Sequence, residues 1–69
     1  MREWKREGYK VVEVELDADL HEFEVIKEDE VIATITPETI EDMEQIASDL
    51  DNGEDVNGWE DGMGNTISI

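Results

Sequence analysis

The sequence predicts an α+β fold: a three-stranded antiparallel meander, one amphipathic helix packed on one face, and a short C-terminal strand. Three observations predict it. Apolar and charged residues alternate between residues 9 and 27. The apolar spacing then turns helical after Thr36-Pro37-Glu38. Finally, Asn52-Gly53 and a glycine-rich stretch interrupt the pattern before a β-prone tail.

The first strand is expected at residues 9–16, YKVVEVEL, with Val12, Val14 and Leu16 inward and Val11, Glu13 and Glu15 outward. The second is expected at 22–27, EFEVIK, with Phe23 and Val25 inward. Pairing the two around Asp17–Leu20 sets Val14 opposite Phe23 and Val12 opposite Val25. The same register sets Glu15 opposite Glu22 and Glu13 opposite Glu24 on the outer face. A third strand, 31–36 (VIATIT), follows the turn Lys27-Glu28-Asp29-Glu30; its apolar residues occupy both faces, so either Ile32 or Ala33 looks inward.

Thr36-Pro37-Glu38 reads as a helix start: a capping residue, proline at the first helical position and an acid in the first turn. Ile40, Met43, Ile46, Ala47 and Leu50 form one apolar stripe, opposite Glu38, Glu41, Asp42, Gln45 and Asp49. Asn52-Gly53 ends the helix. Residues 54–65 form a loop with three glycines and four acids, and Thr66–Ile69 forms the last strand, returning Ile67 and Ile69 to the core. Residues 1–69 thus make one small domain, with 1–8 a candidate flexible N-terminal segment.

Charge dominates the composition. There are 21 Asp and Glu against 5 Lys and Arg, a formal net charge of -16. Arg2, Lys5, Arg6 and Lys10 crowd the first ten residues, leaving 19 of the acids against Lys27 alone. Such a surface repels nucleic acid and anionic membranes and attracts basic surfaces. The absence of cysteine removes disulfides and thiolate metal sites and fits a reducing, cytoplasmic setting. No apolar run approaches the roughly 20 residues of a membrane span, and no signal-peptide core follows the charged start.

Several acids sit where stability alone would not place them. Glu38 and Asp42 are like charges four apart in the expected helix. Asp49 and Asp51 lie at its C-terminus, where the macrodipole disfavours anions. The expected Glu13–Glu24 and Glu15–Glu22 pairs repeat the conflict in the sheet. These conflicts point to a functional acid surface, with Glu38, Glu41, Asp42, Asp49, Asp51, Glu54, Asp55, Glu60 and Asp61 as candidate partner-binding residues. Trp59, among Glu60 and Asp61, has the makeup of an aromatic anchor inside an acidic rim. Its alternative role is to cap the small core. Trp4 and Tyr9 are further candidate contacts.

Residues 49–60 match a calcium loop only in part. Asp49, Asp51, Val56 and Glu60 fall at fitting positions, but Gly53 and Glu54 stand where an oxygen ligand and the turn glycine belong. No metal or other cofactor is therefore expected. Catalysis lacks a nucleophile or a phosphate-binding glycine motif; His21, the one histidine, falls in a hairpin turn. General acid–base chemistry would need a desolvated carboxyl pocket that so short a chain has little room for. The expectation is a non-enzymatic binding protein.

In size, charge and compact α+β pattern over the whole chain, the sequence resembles the small acidic phage-encoded inhibitors of host defence, the anti-CRISPR and anti-restriction DNA mimics. The resemblance implies a carboxylate array that occupies the basic nucleic-acid-binding surface of a CRISPR effector or restriction enzyme, in the cytoplasm of an infected bacterium, as a monomer or small homo-oligomer. The alternative is an acidic adaptor that binds a basic protein through the Trp59 loop without mimicking nucleic acid. Adaptation to high salt is disfavoured by the seven isoleucines and by the excess of Glu over Asp.

Overall fold

A computed structural model describes residues 2–69. Four antiparallel strands run in sequence order across one sheet: β1 (Glu3–Arg6), β2 (Tyr9–Glu15), β3 (His21–Lys27) and β4 (Glu30–Ile35). Helix α1 (Ile40–Asp51) follows and lies on one face. The α+β meander with one helix is as expected, but it has four strands. Glu3–Arg6, within the segment set aside as a candidate flexible arm, forms β1, with Trp4 opposite Val11 and Arg6 opposite Tyr9. The expected C-terminal strand is absent. Thr66 makes a single bridge to Glu60, although Ile67 is buried and Ile69 packs against the core as anticipated. The Cα radius of gyration, 11.0 Å, is that of a compact chain of this length.

The register between β2 and β3 corrects the expected one by a single residue. Val11 stands opposite Val25, Glu13 opposite Phe23, Val12 opposite Glu24 and Val14 opposite Glu22. A one-residue slip exchanges the faces of a strand, so Val11 and Glu13 look into the core while Val12, Val14 and Leu16 look out. Leu16 is 46% exposed. The predicted Glu13–Glu24 and Glu15–Glu22 pairs do not form.

The reason lies in β1. Trp4 is buried, and its pairing with Val11 builds a front face of Trp4, Val11, Phe23, Val25 and Ile35. Glu13 enters that face because two partners meet it. Arg2 donates from Nε to Oε1 and from a terminal nitrogen to Oε2, each at 3.1 Å. His21 Nδ1 lies 3.1 Å from Oε2. In β4 it is Ala33, opposite Val25, that looks inward, and a bulge takes up Ile32.

The helix starts later than expected. Thr39, in extended conformation, is the N-cap, and its Oγ1 accepts from the Asp42 amide at 3.1 Å. Thr36 therefore is not the cap, Pro37 is buried ahead of the helix, and Glu38 lies outside it. Ile40 consequently leaves the buried stripe and is 46% exposed, while Met43, Ile46, Ala47 and Leu50 close the core with Val56, Trp59 and Ile67.

The C-terminal end of α1 is held by β1. Trp4 Nε1 donates to Asp51 Oδ1 at 2.7 Å, and Arg6 donates to the carbonyls of Leu50 (2.6 Å) and Glu54 (3.1 Å). The bond to Leu50 meets a last-turn carbonyl of the helix. The Arg6 guanidinium also places positive charge at the negative end of the helix dipole.

No helix of the described residues is long and apolar enough to cross a membrane.

Candidate functional site: an acidic helix–loop surface

Residues 36–66 carry ten acids and no Lys or Arg. The fold lays this stretch, helix plus C-terminal loop, over the front of the sheet. Its acids are mostly exposed; Asp49 and Asp61 are half-buried. Among the described residues, the ion pairs involve only Glu13 and Asp51 on the acidic side, with Arg2 and His21 as partners. Among the described residues, the other acids of the helix and loop have no cation within salt-bridge distance.

Of the candidate residues, Glu38, Asp42, Glu60 and Asp61 come together. They line an open cleft of about 480 Å³ between α1 and the 60–64 loop, floored by Ile35, Pro37 and Ile46. Glu41 is exposed on the helix beside its first-turn neighbour Asp42, where both acids also favour the helix dipole. Asp49, Asp51 and Asp55 instead make contacts within the fold. Asp51 binds Trp4 and faces Arg2 at 3.9 Å. Asp49 accepts from the Gln45 amide at 2.9 Å. Asp55 accepts from the Asn57 amide at 3.1 Å. Glu54 is exposed near the Arg6 end of the helix, and its carbonyl rather than its carboxylate takes the arginine.

Asp61 has two roles. It lines the cleft, and its Oδ1 accepts from the amides of Met63 and Asn65, each at 2.9 Å. The chain around it is a tight hairpin: Ile67 donates to the Trp59 carbonyl at 2.7 Å, and Gly62 donates to the Thr34 carbonyl of β4 at 2.8 Å. Gly62 is required there by a close approach, since a Cβ would stand 2.7 Å from Thr36 Oγ1. The hairpin lifts Met63 to its tip, 87% exposed. Sequence reading missed Met63 and Glu44, an exposed acid of α1. The signal for Met63 was its place between Gly62 and Gly64, which leaves a large apolar side chain without local cover.

Trp59 is half-buried and packs against the core. Tyr9 does the same, its hydroxyl accepting from the Val56 amide at 3.3 Å. Trp4 is wholly committed to the interior, 5.8 Å from the Phe23 ring and under the Arg2 guanidinium at 5.4 Å. None of the three aromatics is a freely projecting anchor.

The structure also removes part of the self-repulsion expected from sequence: the two glutamate pairs are absent, and Asp51 faces Arg2 at 3.9 Å. Among the described residues no three Asp, Glu or His side chains converge as metal ligands would.

No family model, curated protein or solved structure matches the chain.

Proposed function

We propose that the protein is a binding inhibitor whose helix–loop carboxylates occupy the basic nucleic-acid-binding surface of a partner, as in anti-CRISPR or anti-restriction DNA mimics. The observation that carries the reading is the stretch 36–66, which holds ten acids and no Lys or Arg, with Glu38, Asp42, Glu60 and Asp61 around one cleft. Carboxylates fixed on a folded body meet a basic groove without ordering a chain. They release the counterions that a nucleic acid would release. The partner of this class is a CRISPR effector or a restriction enzyme, met in the bacterial cytoplasm.

A second reading, an adaptor that binds a basic protein without mimicry, is favoured by one observation: Met63, bare at the tip of the Trp59–Ile67 hairpin. Apolar contact there would supply specificity and the acids would raise the association rate.

The test is affinity capture from nuclease-treated bacterial lysate at low and moderate salt, with the wild type beside a triple variant: Glu38→Lys, Asp42→Asn and Glu60→Lys. The variant spares Asp61, which builds the hairpin. Mimicry predicts one nucleic-acid enzyme, displaced by added DNA or RNA, weakened by salt and lost with the variant. A partner that ignores nucleic acid and depends on Met63 establishes the adaptor instead.

A further inference from the structure

Asn52-Gly53 and Asn57-Gly58 repeat one dipeptide on either side of the buried Val56, and both are exposed. An asparagine followed by glycine is open to attack by its own main chain, because no side chain hinders the next amide nitrogen. The attack needs two freedoms: a side-chain amide able to turn, and a following N–H released from its acceptor. The fold grants both to one pair and denies them to the other.

Asn57 is held. Its Oδ1 accepts from the Ile69 amide at 2.8 Å. The Gly58 amide donates to the carbonyl of Ile67 at 2.9 Å, and Ile67 is buried. Releasing Gly58 therefore means lifting the C-terminal tail off the core. Asn52, the C-cap of α1, is placed differently. Among the described residues its exposed side chain takes no part in a hydrogen bond. The Gly53 amide donates only within the last turn, to the Leu50 carbonyl at 3.1 Å, and helix ends fray. When Gly53 lets go, that carbonyl keeps the Arg6 guanidinium at 2.6 Å. Gly53, at φ 89° with open space where a Cβ would stand, does not obstruct the turning chain.

We propose that Asn52 is a site of spontaneous deamidation, which the fold exposes while it shields Asn57. The Gly53 nitrogen gives its proton to solvent and attacks Asn52 Cγ. The new C–N bond closes a succinimide ring as the Cγ–Nδ2 bond breaks, and the departing ammonia takes up the proton. Water then opens the ring. Opening at Cγ leaves aspartate; opening at the main-chain carbonyl leaves isoaspartate, in which the chain runs through Cβ and Cγ. The sum is an amide and water giving a carboxylate and ammonium, with nothing oxidised or reduced. Either product adds an anion at the negative end of the helix dipole. Isoaspartate also lengthens the main chain ahead of Glu54, whose carbonyl Arg6 holds at 3.1 Å, and so loosens the joint between α1 and β1. This inference does not rest on the proposed function.

Incubation in mildly alkaline buffer, folded and in urea, tests it, with both positions followed by peptide mapping and fragmentation that separates isoaspartate from aspartate. In the folded protein position 52 should convert at least about tenfold faster than position 57, because a fraying helix end opens more readily than a core-anchored tail. In urea, where the tail no longer protects Gly58, the two rates should become alike. The aged wild type should melt at a lower temperature, whereas Asn52→Gln, whose longer side chain closes the ring poorly, should keep its own. Equal conversion at the two positions of the folded protein, faster conversion at position 57, or a position 52 that reacts in urea but not when folded would each overturn the proposal.

Discussion

Replacing Glu13 by Gln tests the packing of the sheet through the sign of its effect. Glu13 is 5% exposed on the core face, and the Arg2 guanidinium holds its carboxyl well below the usual range, at about 2 against 4.5. The His21 ring adds to this, and burial opposes it. That depression corresponds to an upper limit of about 3 kcal/mol at neutral pH. Arg2 is 52% exposed, so water screens the pair. The loss expected from Glu13→Gln is then about 1–2 kcal/mol, or a melting temperature lower by about 7–14 °C for a domain of this size.

The pH dependence follows from the direction of the shift. A depressed carboxylate contributes its full stability above the unfolded value of 4.5 and loses it as pH falls toward 2. The gap between wild type and variant should therefore be constant near pH 7 and close between about pH 4.5 and pH 2. Urea unfolding followed by tryptophan fluorescence and circular dichroism measures it. With Glu13 outward beside Glu24, removing its charge would instead stabilise the sheet by about 0.2–1 kcal/mol. A variant as stable as the wild type at neutral pH would refute the buried pair.

Two further substitutions bear on local geometry. Thr39→Ala should cost about 1 kcal/mol by removing the cap on the Asp42 amide, whereas Thr36→Ala should cost less than about 0.5 kcal/mol. The reverse order in urea midpoints would move the helix start back to Pro37. Glu28 and Asp29 occupy the β3–β4 turn with positive φ, 53° and 66°, where Asn-Gly is favoured. Glu28→Asn with Asp29→Gly should stabilise by about 1 kcal/mol; a lower melting temperature would contradict the left-handed turn.

The α+β class, the three strands from residue 9 to 35, the helix and the return of Ile67 were legible because each follows from a period or a punctuating residue. The face of β2 was not. Val11, Val12 and Val14 supply apolar residues to both faces, so alternation alone does not choose between them. The choice was made by Trp4 and Arg2, which lie in a stretch too charged and short to look like a strand and which act on residues 7–11 positions away. The helix start failed because Thr36-Pro37-Glu38 and Thr39 compete as start signals, and only the hydrogen bond to Asp42 separates them. The acid surface was legible from composition. Its division into structural and available carboxylates depended on contacts such as Asp51 with Trp4, 47 residues apart.

The clasp between β1 and the end of α1 has a consequence for how the molecule comes into being. Trp4 and Arg6 find their acceptors 44 to 48 residues later in the chain. A nascent chain emerging from the ribosome has its first strand long before those acceptors exist. Until residue 54 emerges, Arg2, Trp4 and Arg6 flank an unfinished core, so the domain completes its folding late and as one unit. The same clasp makes deletion of residues 2–6 a loss of both ends at once. A label or fusion intended to leave the acidic face undisturbed must keep that first strand intact.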